Sequence, residues 1–236
     1  MLLLNVTLAV GPALLLLRWA YRRDTAQPEP RRLVLGAFGL GIVAVALAIV
    51  VGLALEPLAE LFTGASRIAY RAYFIAGFLE EAAKLAVVLF FVARHKEFDE
   101  VADGMVYTMA AGLGFAVVEN ALYLVGPPTV LLIRGISAVP LHAAAGGVMG
   151  FFVGMSRIEG RGSVLTGLLA AVALHGSYDY FLFTGGALSF ATIPLLIVAL
   201  ILVGILFRVS VKRDQDAGRV PRHRSGTTRP PDRSET

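Results

Sequence analysis

Glu80, Glu81, Lys84, Glu119, His142, His175 and Asp179 lie inside runs of apolar residues long enough to cross a membrane. A charge at the centre of such a helix costs roughly 2.5–3.5 kcal/mol on insertion scales, so each of these residues is by default a functional hypothesis. Their types suit hydrolysis. Carboxylates and imidazoles in a shielded site can activate water, one carboxylate serving as base and another as acid. An imidazole backed by a carboxylate can hold an oxyanion, carry a proton or ligate a metal. Glu and His are ordinary zinc ligands, so zinc-assisted hydrolysis through Glu80, Glu119, His142 and His175 is equally drawable. The chain has no cysteine, which leaves a metal only His, Glu or Asp. Ser137 and Ser177 flank the cluster, but neither sits in a nucleophile-elbow pattern, and there is no helical H-E-x-x-H.

Spacing places these residues on shared faces. Glu80 and Glu81 precede Lys84 by four and three residues, so either carboxylate can meet the ammonium on one helical surface. His175 and Asp179 are four apart. His142 is followed at four-residue steps by Gly146, Gly150 and Gly154, a small-residue stripe that lets a neighbouring helix approach closely. Glu80, Glu119, His142 and His175 fall at one depth, roughly 9–12 Å from one membrane boundary at ~1.5 Å rise per residue, and Asp179 is one turn shallower. Each residue also has a purely structural reading. Lys84 with Glu81 can be a helix-fixing ion pair, His175 with Asp179 a hydrogen bond, and Glu119-Asn120 a local polar contact.

The elements that must carry them are seven apolar runs near Leu2–Leu17, Leu33–Leu55, Tyr73–Ala93, Met105–Val125, Ile136–Met155, Val164–Phe183 and Leu188–Phe207. Each matches the ~20 residues a helix needs to cross a ~30 Å hydrocarbon core. The composition agrees: 57% of the 236 residues are hydrophobic and only 16% charged, against ~25% charged in soluble domains. This predicts an all-α polytopic bundle of about seven spans in the cell membrane. The positive-inside rule puts the N-terminus outside and the C-terminus in the cytoplasm, with Arg18, Arg22, Arg23, Arg31, Arg32, Arg94, Lys96, Arg157 and Arg161 inside and Arg67, Arg71 and Arg134 outside. The net charge of +4 sits in flanks and tail, which points to anionic lipid rather than nucleic acid. Residues 56–72 are too polar to span and predict an interfacial helix. Residues 1–208 read as one membrane domain, and 209–236 as a disordered basic tail.

In order along successive helices the motifs are Glu80-Glu81-Ala82-Ala83-Lys84, Phe115-Ala116-Val117-Val118-Glu119 followed by Asn120, His142, and His175-Gly176-Ser177-Tyr178-Asp179. This ordered set, spanning roughly residues 73–185, resembles the PrsW family of intramembrane proteases, relatives of the CAAX prenyl endopeptidases and bacteriocin-processing membrane proteases. The resemblance implies that the glutamate pair supplies the base that activates water, with Glu80 the first choice, and that Glu119, His175 and Asp179 position water or stabilise the oxyanion, with His142 a further catalytic candidate. Lys84, Glu119 and Asp179 follow the PrsW pattern rather than the CAAX one, which argues against prenylated-protein processing. It further implies a single-pass membrane protein as substrate, such as an anti-sigma factor cut near its extracytoplasmic side. Two other classes use the same residues: an ion or proton transporter, which usually shows paired repeats that are not evident here, and a non-catalytic scaffold.

Overall fold

The computed structural model describes residues 1–23 and 29–220, and among them there is helix and no strand. The helices are α1 (Leu2–Arg23), α2 (Arg31–Leu55), α3 (Gly64–Ala69), α4 (Leu79–Val87), α5 (Val101–Ala121), α6 (Pro128–Ile136), α7 (Ala138–Ile158), α8 (Val164–Thr184) and α9 (Thr192–Asp216). Wide π-helical turns over Tyr70–Phe78 and Val88–Val92 fuse α3 and α4 into one rod covering 64–92. With α6 and α7 taken together, the described chain forms seven long rods, at the positions of the seven apolar runs.

Five stretches are long and apolar enough to cross a membrane: Leu2–Arg23, Arg31–Leu61, Val101–Ala121, Pro128–Ile158 and Gly186–Asp216. The other two rods, 64–92 and α8, hold Glu80, Glu81, Lys84, His175 and Asp179. Their polar residues dilute the apolar signal, so two of the four rods that hold the candidate residues are the ones that look least like spans.

The centre of the bundle is α5 against α7. Every residue of α5 from Val101 to Ala116 is buried, and most of α7 from Ala138 to Met155. The expected glycine stripe is this contact. A Cβ on Gly146 would stand 2.6 Å from the Thr108 carbonyl oxygen, and one on Gly150 or Gly154 would collide with the backbone of Gly104 or Val101. Thr108 Oγ1 donates across the seam to the Gly146 carbonyl at 2.6 Å. Lipid tails are as apolar as the helices, so such close packing and interhelical bonding supply the adhesion.

Three local features differ from the sequence expectations. Residues 56–72 do not form a separate interfacial helix: Glu56–Leu61 is a 3-10 turn, and a capping box between Thr63 and Ser66 starts the rod that runs directly into the third span. The fifth span is broken at Ser137, because Pro140 has no N–H to give the Ile136 carbonyl and its ring crowds that turn. The tail does not begin at 209. α9 continues to Asp216, where Asp214 accepts hydrogen bonds from the backbone N–H groups of Val101 (2.9 Å) and Ala102 (3.1 Å) and so caps α5. The rest of the expected tail, 221–236, lies outside the described residues.

Candidate active site

Two glycines bring the third and sixth rods together. A Cβ on Gly77 would lie 3.3 Å from the Gly176 nitrogen, and one on Gly176 would collide with the Tyr73 ring. This approach lets Glu81, one turn below Gly77, reach His175, the neighbour of Gly176. His175 Nδ1 and Glu81 Oε1 are 2.7 Å apart. Tyr73 and Ser177 share a hydroxyl hydrogen bond of 2.9 Å along the same seam.

Lys84 is the hub. Its ammonium donates to Glu81 Oε1 at 2.8 Å and to His142 Nδ1 at 2.9 Å, stands 3.4 Å from Glu80 Oε2, and lies 4.1 Å above the Phe115 ring. An ammonium only donates, so His142 Nδ1 must accept. The neutral ring then carries its proton on Nε2 and donates it to Glu119 Oε2, 2.7 Å away. Glu119 Oε1 accepts from Arg134 Nη2 at 2.6 Å, and Arg134 Nε donates to Asn120 Oδ1 at 2.8 Å. Asn120 in turn donates to the Ala9 carbonyl at 3.3 Å, anchoring the chain of contacts to α1. On the other flank His175 Nε2 faces Asp179 Oδ2 at 3.3 Å and Glu80 Oε2 at 3.9 Å. The two imidazoles meet edge to face, with centroids 4.9 Å apart.

All nine residues picked out by the sequence thus form one contiguous cluster from four rods. Arg134 joins them unforeseen, having been read only as an exterior charge. Its signal was a lone arginine in an apolar stretch shortly after the Glu119-Asn120 pair. The adjacent glutamates are not equivalent: Glu81 and Lys84 are fully buried, whereas the Glu80 side chain is 18% accessible. Glu80 and Glu119 line an apolar groove of about 360 Å³ between α2, the third rod and α5.

The donor set also fits a metal. Glu80, His142 and His175 each offer one atom, all within 4.8 Å of one another. Glu119, the fourth expected ligand, falls outside that trio. Four carboxylates (Glu80, Glu81, Glu119, Asp179) face two permanent cations (Lys84, Arg134), an excess of negative charge that a divalent ion would balance. Ligation through His142 would exchange its bond to Glu119 or Lys84 for a bond to the ion.

Compared with known proteins, residues 29–206 match the model of the "PrsW family intramembrane metalloprotease". The chain is similar to the protein named "Protease PrsW" in Bacillus subtilis (strain 168), at 36% identity over 75% of this chain and 82% of that protein. A like-named protein of Geobacillus kaustophilus (strain HTA426) is 34% identical over 75% of this chain and 79% of its own length. One from Clostridioides difficile (strain 630) is 28% identical over 74% and 77%. No solved structure gives a significant match.

Proposed function

We propose that this chain, which belongs to the PrsW family of intramembrane metalloproteases and is a multi-pass membrane protease, hydrolyses a peptide bond of a single-pass membrane protein near its extracytoplasmic boundary. An anti-sigma factor in the cell membrane is the substrate type that the motif resemblance suggests. One observation carries the reading: Glu80, His142 and His175 converge within 4.8 Å, and Glu80 also lines a groove walled largely by apolar side chains.

Peptide hydrolysis needs a base beside the attacking water, donors for the oxyanion and an acid for the leaving amine. Glu80 is the carboxylate of its pair that reaches the groove, so it takes the proton as water adds to the scissile carbonyl. His175, fixed through Nδ1 by Glu81, turns Nε2 toward Glu80 and Asp179, and in its protonated form donates to the developing oxyanion. Glu80 then hands that proton to the nitrogen as the C–N bond breaks, while Glu119, which lines the same groove and is held as a carboxylate by Arg134 and His142, assists by orienting the groups around it. Glu81 and Lys84 touch no substrate; they hold His175 and His142 in place.

A zinc ion would be held by Glu80, His142 and His175, and when bound supplies Lewis-acid polarisation of the carbonyl and acidification of water. Metal analysis of the purified protein tests this without a substrate. One zinc per chain, lost in His142→Ala and His175→Ala, is the expected result; equal trace metal in wild type and both variants rejects it.

The hydrolytic assignment is tested by comparing new protein N-termini in membranes of cells expressing wild type or Glu80→Gln at matched levels. Termini near the outer boundary of single-pass proteins should appear with wild type and vanish with the variant. Cleavage that survives in folded Glu80→Gln refutes the role of this residue.

A further inference from the structure

α1 and α2 are consecutive along the chain, yet they scarcely touch: each packs on α5 instead. On the α2 side the approach is close enough that a Cβ on Gly41 would collide with the Ala111 backbone. On the α1 side Asn120 of α5 donates to the Ala9 carbonyl. Between the two helices, at the end that carries Arg22 and Arg31, lies a crevice of about 330 Å³. The positive-inside rule places that end in the cytoplasm.

The crevice is cationic at its mouth and apolar beneath. Arg18 and Arg22, one turn apart on α1, and Arg31, the first residue of α2, line the end nearest water. Leu14 and Leu17 of α1 and Val34 and Leu35 of α2 line the part nearer the bilayer centre. Leu14 and Leu35 are 48% and 59% exposed, so the crevice opens sideways to lipid. The rise from Arg22 to Leu14 is about 12 Å of helix. No carboxylate lines the crevice, and among the described residues Arg18, Arg22 and Arg31 have no ion-pair partner. Glu29, two residues before Arg31, turns the other way: it is buried and accepts from the Tyr107 hydroxyl on α5.

We propose that this crevice binds one anionic glycerophospholipid, its phosphodiester held by Arg18, Arg22 and Arg31 and its acyl chains lying over Leu14 and Leu35. Guanidinium groups grip phosphate oxygens two at a time, and basic pockets between spans on the cytoplasmic side suit such headgroups. The order of the walls also matches a lipid, with charge at the water end and hydrocarbon contact below it. A soluble phosphate would use only the mouth, and a zwitterionic headgroup would bring its own cation against three others. General attraction of basic flanks to an anionic surface needs no particular residue, whereas this crevice makes a site for one molecule at three named arginines. The bound lipid bridges two spans that otherwise meet through α5, so it acts on the stability of the bundle and is independent of the chemistry at Glu80.

The experiment titrates the full chain, purified in a neutral detergent at about 0.15 M salt, with phosphatidylglycerol or with phosphatidylcholine of the same acyl chains. Bound lipid is counted by native mass spectrometry. One phosphatidylglycerol per chain should be retained in preference to phosphatidylcholine. At about a hundredfold excess over its dissociation constant it should raise the melting temperature by roughly 5–11 °C. Removing one arginine should weaken binding about fivefold, and the triple variant Arg18→Gln/Arg22→Gln/Arg31→Gln about a hundredfold. All three arginines are exposed, so the variant keeps the packing of the bundle. Arg94→Gln/Lys96→Gln/Arg161→Gln removes as many cations from the same side at exposed positions outside the crevice, and should bind within about twofold of wild type, since distant charges are screened. Equal retention of the two lipids overturns the site. Equal weakening in both triple variants assigns the binding to diffuse surface charge and overturns it as well. If glycerol phosphate, which has no acyl chain, competes as strongly as the lipid, the ligand is a soluble phosphate and the lipid assignment fails.

Discussion

Removing the Lys84 ammonium is the sharpest test of how the site is held. Lys84 is wholly buried, bonded to Glu81 at 2.8 Å and to His142 Nδ1 at 2.9 Å. Deleting one partner of a buried ion pair costs about 3–5 kcal/mol, because the other charge is stranded. Glu81 Oε1 keeps one donor in His175, so the lower end of that range, about 3 kcal/mol, applies to Lys84→Met. At about 2–4 °C per kcal/mol for a chain of this size, the melting temperature should fall by roughly 6–12 °C. The double variant Lys84→Met/Glu81→Gln removes both charges, and should recover at least about 1.5 kcal/mol of the summed single losses, within the range for residues in contact. Thermal unfolding of the three variants and wild type in one detergent, followed by helicity, measures all four corners. A Lys84→Met protein melting within about 2 °C of wild type, less than 1 kcal/mol on the same scale, would refute the idea that the ammonium compensates Glu81. So would a double variant that simply adds the two single losses.

Two other perturbations probe the scaffold and the outer edge of the site. Gly150→Leu forces a side chain into the Gly104 backbone and should destabilise the α5–α7 seam by about 3 kcal/mol or more, the upper range for overpacking, whereas Gly36→Ala, at a position with open space around it, should be nearly neutral; folded yield after detergent extraction separates them. Arg134→Gln leaves Glu119 without its 2.6 Å ion pair and should slow cleavage about 10- to 100-fold, the scale of losing a partner that orients a site residue, with Arg134→Lys partly restoring the rate; equal rates in all three proteins would remove Arg134 from the site.

The seven rods were legible because apolar runs alternate with short basic flanks, a pattern that hydrocarbon thickness and topology impose directly. The polar cluster was legible for the converse reason: Glu80, Glu81, Lys84, His142, His175 and Asp179 stand out against an apolar background, and helical spacing puts neighbours on one face. What stayed hidden depends on contacts between distant segments. Arg134 reaches Glu119 from the short helix α6, and its one signal, a lone arginine in an apolar stretch, is shared by an exterior flank charge. Asp214 caps α5 from 113 residues away, so the end of apolarity at Phe207 was mistaken for the end of structure. The break at Ser137 was written in Pro140, yet a proline within an apolar run reads equally well as a kink inside one span.

Neighbouring glutamates on one helix point about 100° apart, given 3.6 residues per turn, and here that angle separates two jobs. Glu81 turns inward to Lys84 and His175, where its ionic bonds knit the third rod to the sixth and where no substrate can arrive. Glu80 turns to the groove, touching the same lysine and histidine only at 3.4 and 3.9 Å. The inner carboxylate therefore acts on the orientation of its neighbours, and the outer one has both the access and the loose coordination that proton transfer or metal ligation requires. Exchanging the two roles would require the rod to rotate by that same angle, which the close approach of Gly77 to Gly176 forbids. Which carboxylate faces the groove is thus fixed by a glycine contact at the helix seam as much as by the acidic residues themselves.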